Sequence, residues 1–227
     1  MTNILQRVAS PFREFGAGAG FLYTLDRALS RISSQLRLHV YELVCQPVGE
    51  MPFVGRKLAP LAICEIGADD PAVAFMPVRP EIMRERRTQQ ATCLAGFRND
   101  TLVGYMWYCR PAYEEDEVRC TYVLDAPATS VFDFDFYLLP EHRMGTAFAR
   151  LWTGVNEHLR AQGVDSTYSR LTRFNLESRR AHAHLGAKRV GRALFLKLGK
   201  LEIMFATLSP YLSVSLKRRV RLTLPRQ

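Results

Sequence analysis

Between Phe132 and Phe136 the chain alternates Phe132-Asp133-Phe134-Asp135-Phe136. Successive side chains of a strand point to opposite faces, so Asp133 and Asp135 are expected to share one face. Two carboxylates on one side of a core strand are unfavourable unless that side meets water, a cation or a substrate. Both are therefore candidates for holding a cation or taking a proton, although an exposed edge strand would show the same pattern. Glu65 and the run Glu114-Glu115-Asp116-Glu117 are weaker candidates, and the run has the composition of a solvated loop. His182 and His184 add imidazoles that titrate near neutral pH. Their spacing puts them on different sides of a helix, so only His182 is carried forward.

The same strand leads into a turn suited to anions. Leu138-Leu139-Pro140-Glu141-His142-Arg143-Met144-Gly145-Thr146-Ala147-Phe148 runs from apolar strand into helix. The first turn of a helix has unpaired backbone N–H groups and the positive end of the helix dipole, which together suit a pyrophosphate. Met144, Gly145, Thr146, Ala147 and Phe148 would supply those amides. Gly145 would permit close approach of the backbone, and Arg143 a charge-assisted contact. An ordinary strand-to-helix turn is the other reading. Further on, Asn175 and Ser178 open a second helix, where Asn175 either caps the helix or bonds a ligand amide.

These residues need elements to hold them. Apolar residues at three- and four-residue steps predict helices over 21–36 and from Phe148 through Leu159 to a stop at Gly163. Shorter helices are expected over 80–90, with Pro80 in the first turn, and over 178–185, ended by Gly186. Strands are expected over 36–44, 61–66, 92–97, 102–109, 118–124, 130–139, 165–171 and 192–198. Arg98-Asn99-Asp100 serves as a hairpin turn between two of them. Strands followed by strand–helix alternation imply a mixed, largely antiparallel sheet flanked by helices, of the α/β (α+β) class. Three segments follow: an N-terminal extension with an amphipathic helix and a strand (1–60), a core (61–200), and a basic amphipathic tail (201–227).

Two motifs within the core resemble the acyl-CoA-binding half of the GNAT (Gcn5-related N-acetyltransferase) superfamily. The family's run Q/R-x-x-G-x-G/A is matched by His142-Arg143-Met144-Gly145-Thr146-Ala147, with His in the first place. The family's second pattern is Asn, a small residue three on, Tyr seven on and Gly eleven on. Asn175, Ser178, His182 and Gly186 occupy those places. The resemblance covers roughly 61–198. It implies an acyltransferase using acyl-CoA or acetyl-CoA, with an acyl carrier protein as an alternative donor. The implied thioester site comprises Leu138, Leu139, Arg143 to Phe148, Asn175 and Ser178, and the implied acceptor is a primary amine. Acyl transfer needs the amine deprotonated, the oxyanion met by a donor, and the thiolate reprotonated. The family often uses the Tyr of the second motif for that last step. Here His182 stands in its place, as an acid or as a packing residue, while Asp133 and Asp135 are the candidates for binding or deprotonating the amine.

Composition narrows the partners. The chain has 227 residues, 48% of them hydrophobic, and a net charge of +9. It can bury a sizeable core, and its basic excess favours anionic partners. From Lys188 onward the sole acid is Glu202. This end mixes cations with Ile203, Met204, Phe205, Leu208, Tyr211, Leu212, Val214 and Leu216, as a segment docking on anionic lipid or an acidic carrier protein would. Packing on the core is the alternative. No nucleic-acid motif is apparent. Cys45, Cys64, Cys93, Cys109 and Cys120 show no CxxC spacing, so reduced thiols and no metal are expected. With no cleavable leader pattern and no spanning run, a cytoplasmic protein is expected, peripheral on the inner face of the membrane in a lipid-directed version. The functions in view are an N-acyltransferase, with a long-chain group moved to a lipid amine as its most specific form, an acetyl-CoA-dependent acetyltransferase of a small molecule or protein, and a non-catalytic binding module of the same fold.

Overall fold

The computed structural model describes residues 11–49, 61–143 and 145–227. Helical residues 11–15 precede helix α1 (Ala17–Ile32), which lies against strand β1 (Leu36–Pro47). Then follow β2 (Ala62–Ile66), α2 (Pro80–Thr88), β3 (Thr92–Arg98), β4 (Thr101–Cys109), β5 (Ala112–Glu114), β6 (Cys120–Leu124) and β7 (Ser130–Leu138). The second half adds α3 (Ala147–Ala161), β8 (Ser166–Thr172), α4 (Leu176–His184), β9 (Lys188–Leu198), β10 (Leu201–Ala206), β11 (Leu212–Ser215) and β12 (Val220–Leu224).

Nine strands form one sheet in the order β11-β10-β9-β1-β8-β7-β4-β3-β2, and β12-β6-β5 form a second, smaller sheet. The large sheet is antiparallel at every pairing except β7 with β8. This is the mixed, largely antiparallel sheet flanked by helices that the element order implied. Each side carries its own core. On one side Trp107, Phe132, Tyr41 and Phe195 pack with Tyr122, Leu222 and Leu224 of the small sheet and Met83 of α2. On the other, Leu94, Val103 and Met106 meet Leu151, Trp152, Val155 and Leu159 of α3. The three- and four-residue spacing of those α3 residues is why that stretch is a helix. Gly154 lets α3 approach β2, since a Cβ there would lie 2.7 Å from Ile63 Cγ1 and 2.8 Å from the Leu61 carbonyl.

The segment boundaries expected from sequence are not those of the sheet. The stretch 36–47, assigned to an extension, is a central strand between β8 and β9. The reason is visible in β1 itself: from Val40 to Gln46 nearly every residue is buried, on both faces. Its polar members Glu42 and Gln46 are matched by Arg179 and His182 of α4. Nor is 201–227 a free tail, because β10 and β11 extend the large sheet and β12 pairs in parallel with β6. In the acidic run 114–117, Glu114, Asp116 and Glu117 are exposed as a solvated loop would have them, but Glu115 is not. Glu115 is wholly buried and accepts two bonds from Arg170, at 2.8 Å to Nε and 2.7 Å to Nη2.

Candidate active site

β7 and β8 run parallel and pair only from Ser130 to Asp133 against Ser166 to Ser169. Beyond that point they part. Arg170, Leu171 and Thr172 stay with β1, while β7 continues along β4 to Leu138. Between Trp107 and Tyr108 the β4–β7 register shifts, so that Trp107 faces Asp135, Tyr108 faces Asp133, and Phe134 is the extra residue of a bulge. The fork between the strands leaves the far half of β7 with backbone groups that no longer meet β8.

The bulge also corrects one expectation: Asp133 and Asp135 do not share a face. Asp133 accepts a 2.6 Å bond from Ser169 Oγ, whereas Asp135 lies in a pocket with Arg170, the next residue of β8 and so on the opposite face. Asp133 is buried, and burial raises its pKa against the opposing effects of His182 and the Ser169 hydroxyl bond. It is too enclosed to meet a substrate directly. Asp135 accepts a 2.6 Å ion-pair bond from Arg86 Nη2, and its pKa is raised by burial against that pairing. The Arg86 guanidinium lies 4.8 Å from the Trp107 ring centroid and 5.5 Å from that of Phe134.

On the α3–α4 side the fork opens into a cleft of about 490 Å³, bordered by Phe136, Leu138, Phe148, Trp152, Ser178 and His182. Arg143 and Asn175 also line it. The Arg143 guanidinium sits 5.0 Å from the Tyr137 ring centroid, and its Nε donates to the Leu138 carbonyl at 3.1 Å. Gly145 takes φ +85° with open space where a Cβ would project, so the turn into α3 relies on glycine's freedom there. Thr146, the residue before α3, places no side-chain cap on the first turn. The Ala147 and Phe148 amides belong to the first turn, ahead of the point where bonding within a helix begins. Leu139 is placed differently from the expectation: its N–H donates to the Val103 carbonyl at 3.0 Å, and its side chain packs with the core on the other face of the sheet. Met144 lies outside the described residues.

Asn175 caps α4, its Oδ1 accepting from the Ser178 N–H at 3.0 Å. About two turns on, His182 Nδ1 lies 3.1 Å from Gln46 Oε1. The tautomer that bonds this amide oxygen has its proton on Nδ1 and the lone pair on Nε2. Burial lowers the pKa of His182, and the charge of Asp133 works against that. The imidazole meets Trp152 edge to face, at 6.0 Å between centroids. Sequence reasoning missed Gln46, Ser169 and Trp152. Gln46 belongs to a strand whose pairing partners are more than a hundred residues away. A glutamine amid the apolar run 38–45 was the available signal, since a buried amide needs partners.

No family model and no curated protein matches the sequence. Among solved structures, a conserved protein of unknown function from Staphylococcus epidermidis superposes with a TM-score of 0.50 at 12% identity, over 77% of this chain and 66% of that one. The two chains share a fold. A tandem GNAT protein from the clavulanic acid biosynthesis pathway gives 0.47 at 16% identity, over 71% and 53% of the two chains. A GNAT-family structure from Novosphingobium aromaticivorans gives 0.42 at 14%, over 70% and 63%. The chain thus spans about half to two thirds of the length of these structures. At such identities the likeness is one of fold.

Proposed function

We propose that the protein is an N-acyltransferase that moves an acyl group from a thioester donor to a primary amine. The observation that carries this is the fork itself: a parallel strand pair that splays beside an uncapped helix start, with a neutral imidazole on the opposite wall. The pantetheine arm of an acyl-CoA lies along the cleft, with its pyrophosphate on the first-turn amides of α3 and on Arg143. The thioester carbonyl meets the unpaired backbone of β7 beyond Asp133.

The amine nitrogen attacks the thioester carbon, a C–N bond forms and the C–S bond breaks. The proton that nitrogen loses passes to His182 Nε2 and then to the departing thiolate, so the imidazole is base first and acid second. Asp133 is a positioning residue, raising the basicity of His182 through its charge. The amine enters from the other side of the fork, through the pocket of about 240 Å³ lined by Glu85, Asp116 and Asp135. That pocket also holds Arg86 and Arg170, but both are engaged by carboxylates. Its free charge is therefore negative, in a chain of net charge +9, and it draws in an ammonium group, which gives its extra proton to water before the free amine attacks.

Two donor sizes were in view. Phe136, Phe148 and Trp152 touch one another at ring separations of 5.3, 4.8 and 6.3 Å and wall the cleft between β7 and α3. That wall favours an acetyl or other short acyl group over a long chain. Calorimetric titration with acetyl-CoA and palmitoyl-CoA, for the wild type and Gly145→Trp, tests the reading. Binding of acetyl-CoA, abolished in the variant, is expected. Binding of neither thioester would remove CoA as the donor. Strong preference for palmitoyl-CoA over a detergent control would overturn the short-acyl assignment.

A further inference from the structure

The strand registers place the apolar residues at the far edge of the large sheet on one side. Phe205 is paired with Leu212 and Leu194, Ile203 with Val214 and Leu196, and Leu201 with Leu198. Directly opposed residues share a face. The alternate residues Glu202 and Met204 are buried on the side that carries the small sheet. The apolar side is open instead: Phe205 is 52% exposed, Leu212 56%, Val214 61% and Leu216 62%. Single exposed apolar residues need no explanation, but a contiguous set on a sheet edge does.

This face ends in cations. Lys217 and Arg218 follow Leu216 directly, and Lys200 sits in the β9–β10 turn. All three are exposed, and none forms an ion pair among the described residues. The Gly199 N–H in that turn donates to the Gln35 carbonyl at 3.1 Å, which ties the edge to the end of α1, where Arg31 and Ile32 are also exposed. The alternation of β1 puts the patch on the same side of the sheet as the cleft. Leu38 opposes Leu196, and from Leu38 the same side of β1 runs through Glu42 to Gln46, which meets His182.

We infer that the exposed face of β9, β10 and β11, with Lys200, Lys217 and Arg218 at its margin, docks on an anionic lipid bilayer. The apolar side chains enter the headgroup–acyl boundary while the cations meet lipid phosphates. A second copy of the chain fits less well, because this is the most basic part of a chain of net charge +9 and two copies would repel. The surface adds to the acyl-transfer reading without using any residue of the cleft. It brings the side of the sheet that bears the donor cleft to the membrane.

The test is co-sedimentation of the full chain with vesicles of phosphatidylcholine alone and of equal parts phosphatidylcholine and phosphatidylglycerol. Two variants at exposed positions, Val214→Glu and the pair Lys217→Glu/Arg218→Glu, accompany the wild type, with thermal melts to confirm that they fold. The wild type is expected to pellet with the anionic vesicles and to be released by salt, and both variants to bind more than about tenfold less. Acetyl-CoA titration of the same proteins separates the two readings, since the variants should retain wild-type donor binding whatever the vesicles show. A wild type that stays in solution with both vesicle types would overturn the assignment. So would a dimer, seen by light scattering, that Val214→Glu makes monomeric.

Discussion

The two cavities beside β7 are built from opposite materials. The α3–α4 cleft has aromatic walls and a neutral imidazole, with a helix start that carries no side-chain cap at its mouth. The pocket under α2 is a lattice of ion pairs: Arg86 with Asp135, and Arg170 with Glu115 and Glu117. One bulge residue, Phe134, separates them, because it turns Asp135 away from the side that holds Asp133. In the pocket most charges are paired, and the Arg170 pairs hold the small sheet to the large one. In the cleft the imidazole is kept neutral and Arg143 has no carboxylate partner among the described residues, which is the condition for acting on something else. The comparison teaches that charge density alone is a poor guide to chemistry in this molecule.

The largest expected effect lies on the structural side. Arg170→Met leaves Glu115 buried without its partner and should destabilise the fold by about 3–5 kcal/mol. Denaturant unfolding measures it, and adding Glu115→Met should recover much of the loss. A single variant as stable as wild type would break the distinction, since Arg170 would then be available to a ligand. Burial pushes the Glu115 carboxyl up to about 7, with Arg170 opposing. A raised folded pKa gives stability that is present below the unfolded value and is lost as pH rises through the folded one. This contribution should therefore decline from about pH 4.5 to about 7, as thermal melts across that range would show.

On the other side, His182→Gln should lower turnover by about 10²-fold or more while leaving acetyl-CoA binding near wild type. The imidazole must be neutral to accept a proton, and burial holds its pKa below 6.5. The acid limb of the rate profile should thus fall below pH 6.5 and move lower still in Asp133→Asn, which removes the charge that raises it. A limb that stays put in Asp133→Asn would show that the aspartate does not tune the imidazole. The stability sign is the reverse of that at Glu115: a depressed histidine pKa costs stability as pH falls through 6.5, since the unfolded chain then binds the proton more readily.

Local patterns foretold the parts of this arrangement that are local. The α3 stripe, the turn at Gly145 and the Asn175 cap all lie within a few residues of the groups they organise. The sheet class followed from the order of elements. Three things did not follow. The bulge at Phe134 depends on how β4 pairs with β7, and the plain alternation of Phe and Asp concealed it. Gln46 reaches His182 across 136 positions of sequence, through a strand that had been set apart from the core. The acidic run 114–117 had a loop's composition, yet Arg170 arrives from β8 to bury Glu115. Each case was decided by a long-range partner rather than by propensity.

The smallest expected effect separates capping from ligand binding at Asn175. Its Oδ1 is committed to the Ser178 N–H, which leaves the amide nitrogen as the group able to reach a pantetheine carbonyl in the cleft. Asn175→Ala removes both functions and should cost about 1 kcal/mol of stability as well as donor affinity. Asn175→Asp keeps an oxygen for the cap, adds a charge favoured at a helix start, and loses only the donor. Its unfolding midpoint should match wild type while acetyl-CoA binds more weakly. If Asn175→Asp binds the thioester as wild type does, Asn175 is a cap alone and belongs with the structural pairs on the other side of β7. If the loss appears in both variants, one side chain orders α4 and holds the donor, and the cleft is then set apart by the polar atoms it leaves free.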